Sequence, residues 1–528
     1  MRRFLILAAL TLPLPAADLI SSALGVTRNQ TPIRSLLSRD DLDYHTPKIR
    51  VLLIGDSPST AESALAASRA FERSRYRRRF ALSVVPNADP DSTGGARGGY
   101  PPQGEFYTGP RPEGQYLWRW IAMHAPDLVL ELREGPVQGW LAPPAAGVAK
   151  LAAALGAGRL AAPPDELVPR ISGLVPALRL ELRQQARVDF LETLFRAIER
   201  AGFRGPSPAR REIQQRLDRT PLQVAEQLAR RYGHDLDQVM YIPALALIGR
   251  LRLGHLADVE RIVAPYSTGA RPPLDKPTGS HLSGHLIFGE LARATGKPRY
   301  LELARAAADL ADLPPHFEMS DSVFMRCPLF AQVGRLTGDA RYYDLSLEHM
   351  RTMLELNLRR DGLHRHSPLD ETAWGRGNGF PALGLALSLT EIPPAHPGRE
   401  QMLEAFRAHV QALAPHQDPT GAWHQVIDFP ASYRELTATA MIGFAMKRGV
   451  SSGWLEKGVY ERLIDRAWGA VRARIATDGS LVDVCAGTGK QKSLRDYLDR
   501  PAILGPDPRG GAMALLFATE MAGLRSRR

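Results

Sequence analysis

The 528-residue chain is 44% hydrophobic and 23% charged, a balance that is ordinary for a globular protein and excludes a wholly disordered or fibrous chain. Its length predicts more than one domain, since ~100–200 residues per domain is usual. The net charge of +11 favours an anionic partner, although Arg spread over a solvated surface gives the same total. Because no basic run alternates with aromatic residues, we do not expect nucleic acid as a partner. Two cysteines exclude a disulfide framework and leave either one bridge or two buried thiols.

Residues 1–23 have the pattern of a secretory signal peptide. A charged start is followed by an apolar run of roughly 14 residues, too short to span a bilayer comfortably. Pro15 disturbs a cleavage pattern that ends at Ala17, and the small residues around Ala23 offer a second one. We therefore expect export to the periplasm or the outside of the cell, with an uncleaved anchor or an N-terminal helix as the alternatives. No later segment is expected to enter a membrane.

Residues 48–165 are predicted to form an α/β domain. Short apolar runs alternate here with amphipathic helical patterns, which is typical of a mostly parallel sheet. Functional loops of such sheets lie at the carboxyl ends of the strands. Those ends carry Asp56, Asp89 and the pair Arg133 and Glu134.

This layout resembles a degenerate zinc carboxypeptidase fold, in which the corresponding strand ends hold the zinc ligands. Zinc hydrolysis needs three protein ligands and one open position. The strand ends offer no His, and Arg133 cannot coordinate a metal, so we expect no metal and no cofactor. Asp56, Asp89 and Glu134 remain either candidates for binding a polar ligand or simply solvated loop carboxylates.

Residues 180–528 read as helices with short connections. A helix with a Thr-Gly end begins at Phe288 and is echoed from Phe330. A second echo links the short loops at Asp361, Thr420 and Asp478. Helix pairs repeated at this spacing are too long for common short-repeat solenoids. The pattern predicts an all-α toroid of the (α/α)6 type, with the short loops gathered at one mouth, and the whole chain is multi-domain.

Seven motifs of this helical region follow one another in a characteristic order. They are D-S-V-F-M from Asp321, G-L-H-R-H ending at His366, W-G-R-G-N-G-F from Trp374, G-A-W-H-Q-V from Gly421, S-Y-R-E-L-T from Ser432, R-G-V-S-S-G-W-L from Arg448 and V-C-A-G-T-G from Val484. In this order the chain resembles the unsaturated glucuronyl and rhamnogalacturonyl hydrolases of glycoside hydrolase families 88 and 105.

The resemblance implies removal of a 4,5-unsaturated uronic acid from oligosaccharides that polysaccharide lyases release. Hydration of the vinyl ether needs a proton at C4 and water at C5, and the resulting hemiketal opens to release the rest of the sugar. One carboxyl group in an apolar setting can act as acid and then as base. Asp321 is the candidate, with a helix N-cap as the alternative role.

The substrate of such an enzyme is a planar anionic sugar, so cations and flat surfaces are expected around it. Arg376 is a candidate for binding the carboxylate, and Trp374 and Phe380 for stacking on the ring. His366 and His424 are candidates for contacting hydroxyls or water, with a structural role as the alternative. Trp423 is either a sugar platform or a core residue.

The sequence departs from the related enzymes where they carry an Asp before a helix. Ser280 stands in that region, and Asp275 is the nearest acid. This loss favours an alternative function, a carbohydrate-binding or scaffold protein built from two degenerate enzyme domains. A metallopeptidase activity of the first domain is a further alternative that its missing ligands disfavour.

Overall fold

The computed structural model describes residues 19–91, 106–134, 139–141, 150–151, 175–182, 190–275, 277–310 and 318–524. None of the helices within these ranges is both long and apolar enough to cross a membrane. Both cysteines, Cys327 and Cys485, are buried as free thiols.

A seven-stranded sheet forms the N-terminal part of the structure, with strand order β1-β2-β4-β3-β5-β7-β6. The strands are β1 Leu19–Val26, β2 Pro32–Ser38, β3 Ile49–Ile54, β4 Phe80–Val85, β5 Leu128–Glu134, β6 Gly139–Leu141 and β7 Ala177–Leu182. Strands β4, β3, β5 and β7 run parallel to one another. Strand β3 is buried along nearly its whole length and apolar except for Arg50, as expected of a parallel sheet whose faces are both covered. The helices beside the sheet are α1 Pro58–Glu72, α2 Pro112–His124 and α3 Phe190–Arg200.

The sheet extends beyond the predicted range 48–165 at both ends. Strands β1 and β2 pair with each other ahead of that range, and β7 pairs with β5 beyond it. Strand β1 also overlaps the last residues of the predicted signal peptide 1–23. The β1–β2 hairpin joins the sheet through pairing of β2 with β4, and β7 joins it through β5. Both of these pairings link strands distant in sequence, which local patterns do not record.

The helical region begins near residue 208 and continues to residue 521. Its helices are α4 Pro208–Asp218, α5 Pro221–Ala229, α6 Tyr241–Arg252, α7 Leu256–Ser267, α8 Gly279–Gly284, α9 Leu286–Thr295, α10 Pro298–Ala308, α11 Ser322–Thr337, α12 Arg341–Asn357, α13 Gly375–Glu391, α14 Arg399–Leu413, α15 Leu436–Ser451, α16 Lys457–Ala473, α17 Leu494–Leu498 and α18 Pro508–Met521. Short strands β8 Trp423–His424, β9 Arg434–Glu435, β10 Leu481–Cys485 and β11 Ala502–Gly505 lie in the connections.

The inner helices of this region close into a ring. Helices α6, α8, α11, α13, α15 and α18 contact one another in this order, and α18 returns to α6. Helix α11 is buried on nearly every face, whereas the intervening helix α12 buries one face only. A helix apolar all round belongs inside a larger assembly, and an amphipathic one belongs on its surface. The fold is therefore an N-terminal sheet region followed by an all-α toroid.

The three echoed loops form the same kind of turn. Gly362, Gly421 and Gly479 have φ values of 83°, 94° and 81°, a left-handed conformation that glycine adopts without steric cost. Each turn follows an outer helix and precedes an inner one, so the three lie at the amino-terminal ends of inner helices. These ends form the mouth of the ring.

The sheet region packs against this mouth. One hydrophobic cluster contains residues of both parts, including Tyr116 and Ile121 from the sheet region and Trp374, Tyr433 and Tyr497 from the mouth. An ion pair crosses the same boundary, in which Arg28 binds the Asp499 carboxylate at 2.7 Å. The Tyr107 ring also stacks on Tyr433 across it, at 4.7 Å.

Candidate active site

Asp321 lies at the amino-terminal end of the inner helix α11. Its backbone is already helical, with φ −50° and ψ −30°, and its side chain accepts no capping hydrogen bond. The residue is 9% exposed, and Oδ1 is buried without a hydrogen-bond partner among the described residues. The N-cap role that was the alternative is thus not filled by this side chain. Its carboxylate is available for chemistry.

His366 faces this carboxylate from the loop before α13. Its Nε2 lies 3.5 Å from Asp321 Oδ1, and its Nδ1 lies 2.9 Å from the Tyr497 hydroxyl. The backbone N–H of Ser320 donates to the His366 carbonyl at 2.9 Å, which fixes the two loops to each other. The hydrogen bond between Nδ1 and the Tyr497 hydroxyl orients the imidazole ring so that Nε2 faces the acid. His366 is fully buried, so this geometry is held by packing.

Trp374 and Arg376 are close to His366. The Trp374 ring lies 4.4 Å from the His366 ring, and the Arg376 guanidinium lies 4.6 Å over Trp374. The guanidinium also donates to the carbonyls of Cys485 and Ala486, each at 2.8 Å, and is 2% exposed. Burial lowers the pKa of Arg376, but nearby acidic groups outweigh it and the net pKa is raised. Arg376 is therefore a buried cation at the site, and its N–H groups hold the neighbouring loop.

Three aromatic side chains form an apolar wall beside Asp321. Phe380 stacks on Phe324 at 5.4 Å, and Tyr241 meets Phe380 edge-on at 5.7 Å. Phe380 is 1% exposed and packs in the hydrophobic core. Burial raises the pKa of Tyr241, against the lowering effect of Arg376 and Arg509. The hydroxyl of Tyr241 is thus a neutral polar group in a charged setting.

Sequence reasoning missed Tyr241, Tyr497 and Arg509. Arg509 is half-buried at the start of α18, near Tyr241 and 3.5 Å from Asp507. Asp507 caps that helix through the Gly510 N–H at 2.7 Å, and Pro508 follows it. This Asp-Pro start signal predicts an inner-helix end and hence a mouth residue. No comparable signal marks Tyr497, whose role depends on its contact with His366.

The structure places Trp423 and His424 in different surroundings. The Trp423 indole N–H donates to the Leu413 carbonyl at 2.8 Å within the hydrophobic core, and the residue is 0% exposed. His424 Nδ1 donates to the Ser432 carbonyl at 2.6 Å, and Nε2 faces Asp418 at 3.3 Å. A fully buried indole has no face to offer a sugar. Of the two alternatives for Trp423, the geometry favours the core role, and for His424 it favours the structural one.

The glycines of the W-G-R-G-N-G-F motif serve helix packing. A Cβ at Gly375 would lie 2.4 Å from the His424 carbonyl oxygen, and one at Gly379 would lie 2.7 Å from the Met441 side chain. A Cβ at Gly377 would approach the Ser320 hydroxyl to 3.1 Å. These contacts bring α13 close to its neighbours.

Ser280 lies in the first turn of α8, and its hydroxyl is buried without a partner among the described residues. His285, just beyond this helix, is buried, which lowers its pKa to about 4. The titratable side chains of α8 and of the residue after it are the imidazoles of His281 and His285. No carboxylate of the described residues 277–285 replaces the acid that related enzymes carry here.

The strand ends of the sheet region hold ion pairs. Asp56 lies 3.5 Å from Arg133, and Asp89 pairs with Arg111. The side chain of Glu134 lies outside the described residues. Within the described ranges, no three His, Cys, Asp or Glu side chains are grouped so that they could hold a metal ion. The likeness to zinc carboxypeptidases stays a prediction.

The mouth of the ring has a favourable potential for an anion. Helices α6, α11 and α13 begin at Tyr241, Ser322 and Gly375, which adjoin the cluster around Asp321. Helix amino termini carry a partial positive charge of about half an elementary charge. Together with Arg376 and Arg509, they surround one carboxylic acid. The fold and the site define an all-α toroid with an acid at its mouth and a cationic lining.

Comparison with known proteins relates this toroid to one family. Residues 280–524 match the family model of Glycosyl Hydrolase Family 88, the family that the order of the motifs predicted. The unsaturated rhamnogalacturonyl hydrolase YesR of Bacillus subtilis is 33% identical over 156 residues, which are 29% of this chain and 42% of that protein. An unsaturated 3S-rhamnoglycuronyl hydrolase of Alteromonas is 24% identical over 172 residues, 30% of this chain and 42% of the relative.

A solved structure agrees in fold. A possible member of the GH105 family from Salmonella enterica superimposes with a TM-score of 0.52 at 18% identity, covering 58% of this chain and 95% of that one. At this identity the likeness shows the fold alone. This chain spans less than half the length of the two curated relatives.

Proposed function

We propose that this protein is a glycoside hydrolase that removes a 4,5-unsaturated uronic acid from the end of an oligosaccharide by hydrating its vinyl ether. The observation that carries the proposal is the uncapped, mostly buried Asp321 carboxylate facing His366 at 3.5 Å within the region that matches the family model. Two curated relatives of the chain are named unsaturated rhamnogalacturonyl hydrolase and unsaturated 3S-rhamnoglycuronyl hydrolase.

Asp321 acts first as a general acid and then as a general base. It delivers its proton to C4 of the unsaturated sugar, and the carboxylate so formed takes a proton from the water that adds at C5. The hemiketal product opens and releases the rest of the oligosaccharide. His366 holds the carboxylate in place.

The cationic lining supports an anionic substrate. Arg376 supplies charge from behind Trp374, and Arg509 is the more exposed of the two arginines. We assign Arg509 as the direct ligand of the uronate carboxylate and Arg376 as a positioning residue. A planar guanidinium binds a carboxylate through two parallel hydrogen bonds. Of the residues predicted to contact the sugar, His366 lies beside Asp321, and Trp374 lies beside His366.

A carbohydrate-binding protein without turnover is the second candidate. The observation that favours it is Ser280 at the start of α8, where related enzymes carry an Asp. The two candidates differ in one measurable respect, since only the hydrolase destroys the double bond of the bound sugar.

Hydrolysis is tested by following the ultraviolet absorbance of the 4,5-double bond in lyase-treated pectin and glycosaminoglycan fragments. The wild-type protein is expected to remove this absorbance, and Asp321→Asn to lose about 10²–10⁴-fold in kcat, the usual contribution of general acid–base catalysis. Asp339→Asn, an exposed position in the turn after the carboxyl-terminal end of α11 and so at the opposite end of the ring, is the matched control and should keep the wild-type rate. Full activity of Asp321→Asn would refute the assignment, and saccharide binding without any turnover would establish the second candidate.

Two further assignments accompany this function. We propose that the sheet region and the toroid are separate domains whose boundary lies between α3 and α4, and that the chain is exported. The two-domain division is supported by the change from a sheet with flanking helices to a closed helical ring. Export is supported by the charged and apolar pattern of residues 1–23.

A further inference from the structure

A cavity of about 640 Å³ lies between the sheet region and the helical ring. Its walls come from the short turn Arg39–Leu42, the end of α2, the loop around Gln417 and the helix α16. None of the residues around Asp321 lines it. The volume falls within the range of small-molecule sites, which is about 300–1,000 Å³.

Arginines dominate the charge of this cavity. The five that line it are Arg39, Arg434, Arg462, Arg466 and Arg474, against a single lining carboxylate, Asp41. That carboxylate is already bound by Arg50 at 3.1 Å, with both side chains fully buried. The cavity therefore has an excess of positive charge.

The five arginines differ in how far they are already paired. Arg434 binds Asp418 at 2.8 Å, and Arg474 lies 3.8 Å from Asp483. Arg466 donates to the Asp418 carbonyl at 2.5 Å. Arg39 and Arg462 are exposed at the rim, and the described residues give them no ion pair. Excess charge is thus concentrated at the entrance.

Three buried polar atoms on the cavity wall make no hydrogen bond within the described part of the chain, namely His124 Nε2, Gln417 Oε1 and Arg474 Nε. His124 Nε2 faces the Asp41 carboxylate at 3.4 Å, and Arg474 Nε faces the Asp483 carboxylate at 3.8 Å. Because buried polar atoms are paired in about 90% or more of cases, the remaining unpaired acceptor, Gln417 Oε1, indicates a ligand that donates a hydrogen bond. This acceptor suits a ligand with hydroxyl groups.

An apolar surface completes the lining. Trp120 stacks on His124 with ring centroids 4.3 Å apart, and Tyr44, Met123 and Leu217 extend this side. Aromatic and aliphatic surface beside convergent polar groups is typical of sites that take up small organic ligands. Sugar rings combine an apolar C–H face with hydroxyl groups.

We propose that this cavity is a second saccharide site, which binds an acidic oligosaccharide of two or three units through its carboxylate or sulfate groups. The ligand enters past Arg39 and Arg462, places an anionic group near Arg474, and lays a ring against Trp120. Because the walls come from both the sheet region and the ring, the bound saccharide bridges the two. This site is independent of the reaction at Asp321.

Isothermal titration calorimetry tests the proposal with probes that lack a double bond and are not substrates of the proposed reaction. Saturated trigalacturonate supplies carboxylates, a saturated heparin-derived disaccharide supplies sulfates, and neutral maltotriose is the control ligand. The titrations use full-length Asp321→Asn, so binding is measured without turnover. The variant Arg39→Glu with Arg462→Glu alters only exposed rim positions. Its matched control, Arg69→Glu with Arg200→Glu, makes the same charge change on exposed faces of α1 and α3.

We expect at least one acidic probe to bind, with affinity falling about tenfold or more in the rim variant and staying unchanged in the control variant, because charge complementarity at the entrance is reversed. Maltotriose should not bind measurably. Binding of trigalacturonate indicates that the site recognises carboxylates, and binding of the heparin-derived disaccharide indicates that it recognises sulfates. Failure of both acidic probes to bind, or equal affinity in the rim and control variants, would overturn the proposal. Neither result depends on whether the protein hydrolyses unsaturated sugars.

Discussion

Asp418 joins the helical ring to the sheet region through a buried network. Its carboxylate accepts hydrogen bonds from Arg434 Nε at 2.9 Å and Nη2 at 2.8 Å, and faces His424 Nε2 at 3.3 Å. The same Arg434 donates to the Ala23 carbonyl of β1 at 3.1 Å. Replacing Asp418 by Asn keeps the shape and removes the charge. The substitution leaves a buried cation without its counter-ion.

The expected cost follows from burial. The side chains of Asp418 and Arg434 are 2% and 6% exposed. Breaking a buried ion pair from one side typically costs about 3–5 kcal/mol, because the remaining charge is uncompensated. Urea denaturation, followed by far-ultraviolet circular dichroism, should show the free energy of unfolding reduced by this amount. Limited proteolysis should also cleave more readily near β1, which loses its contact with the ring.

Asp428→Asn is the matched control, because it makes the same change in a pair that water reaches. Asp428 binds Arg359 at 2.8 Å with its side chain 31% exposed, and such pairs contribute about 0–1 kcal/mol. If Asp418→Asn costs no more than Asp428→Asn, the buried network does not stabilise the fold as argued.

The pH dependence gives a second check on the same network. Burial alone would raise the pKa of Asp418, but Arg434 and His424 outweigh it and hold the pKa well below its usual range. A depressed folded-state pKa stabilises the fold above the unfolded pKa of about 3.9, and this stabilisation is lost as pH falls through the folded value. The stability gap between wild type and Asp418→Asn should therefore be full at neutral pH and shrink only in acid. If the difference in unfolding free energy between the two proteins disappears between pH 6 and 8, a group other than Asp418 causes it.

Three further predictions concern the mouth and the amino terminus. Arg509→Gln should raise KM about tenfold with a smaller change in kcat, because it removes a ligand of the uronate. The exposed Arg335→Gln is the control and should change neither constant. If KM is unchanged in Arg509→Gln, Arg509 does not bind the uronate. Tyr497→Phe should lower kcat about tenfold, since His366 loses the hydroxyl that is hydrogen-bonded to its Nδ1 at 2.9 Å and is oriented less well toward Asp321. Tyr460→Phe, on an outer helix, is its control, and an unchanged kcat in both variants would limit Tyr497 to packing. Sequencing the amino terminus of exported protein should find cleavage before Leu19. Cleavage after Ala23 would remove most of the β1 residues that pair with β2. An unprocessed amino terminus would refute the signal peptide.

The sequence determined those features that depend on local periodicity. Apolar runs placed β3, β4 and β5, and the repeats from Phe288 and Phe330 indicated helix pairs. The echoed turns at Gly362, Gly421 and Gly479 share a left-handed φ that strongly favours glycine, which is why they can be recognised in the sequence. The order of the motifs also indicated the family whose model residues 280–524 match.

Tertiary structure decided which of the candidate side chains meet. Trp423 and His424 lie in a mouth loop by sequence, yet strand pairing turns the first into the core and the second toward Asp418. Tyr497, on the short helix α17, reaches His366 across 131 positions. Arg434 reaches β1 across 411 positions. Local patterns specify which face of a helix or strand is apolar, but the element that covers this face is chosen by packing between distant parts of the chain. For that reason Asp321 and its candidate neighbours His366, Trp374 and Arg376 could be named from the sequence. The contacts of Tyr497 and Arg509 and the arginine-lined cavity could not.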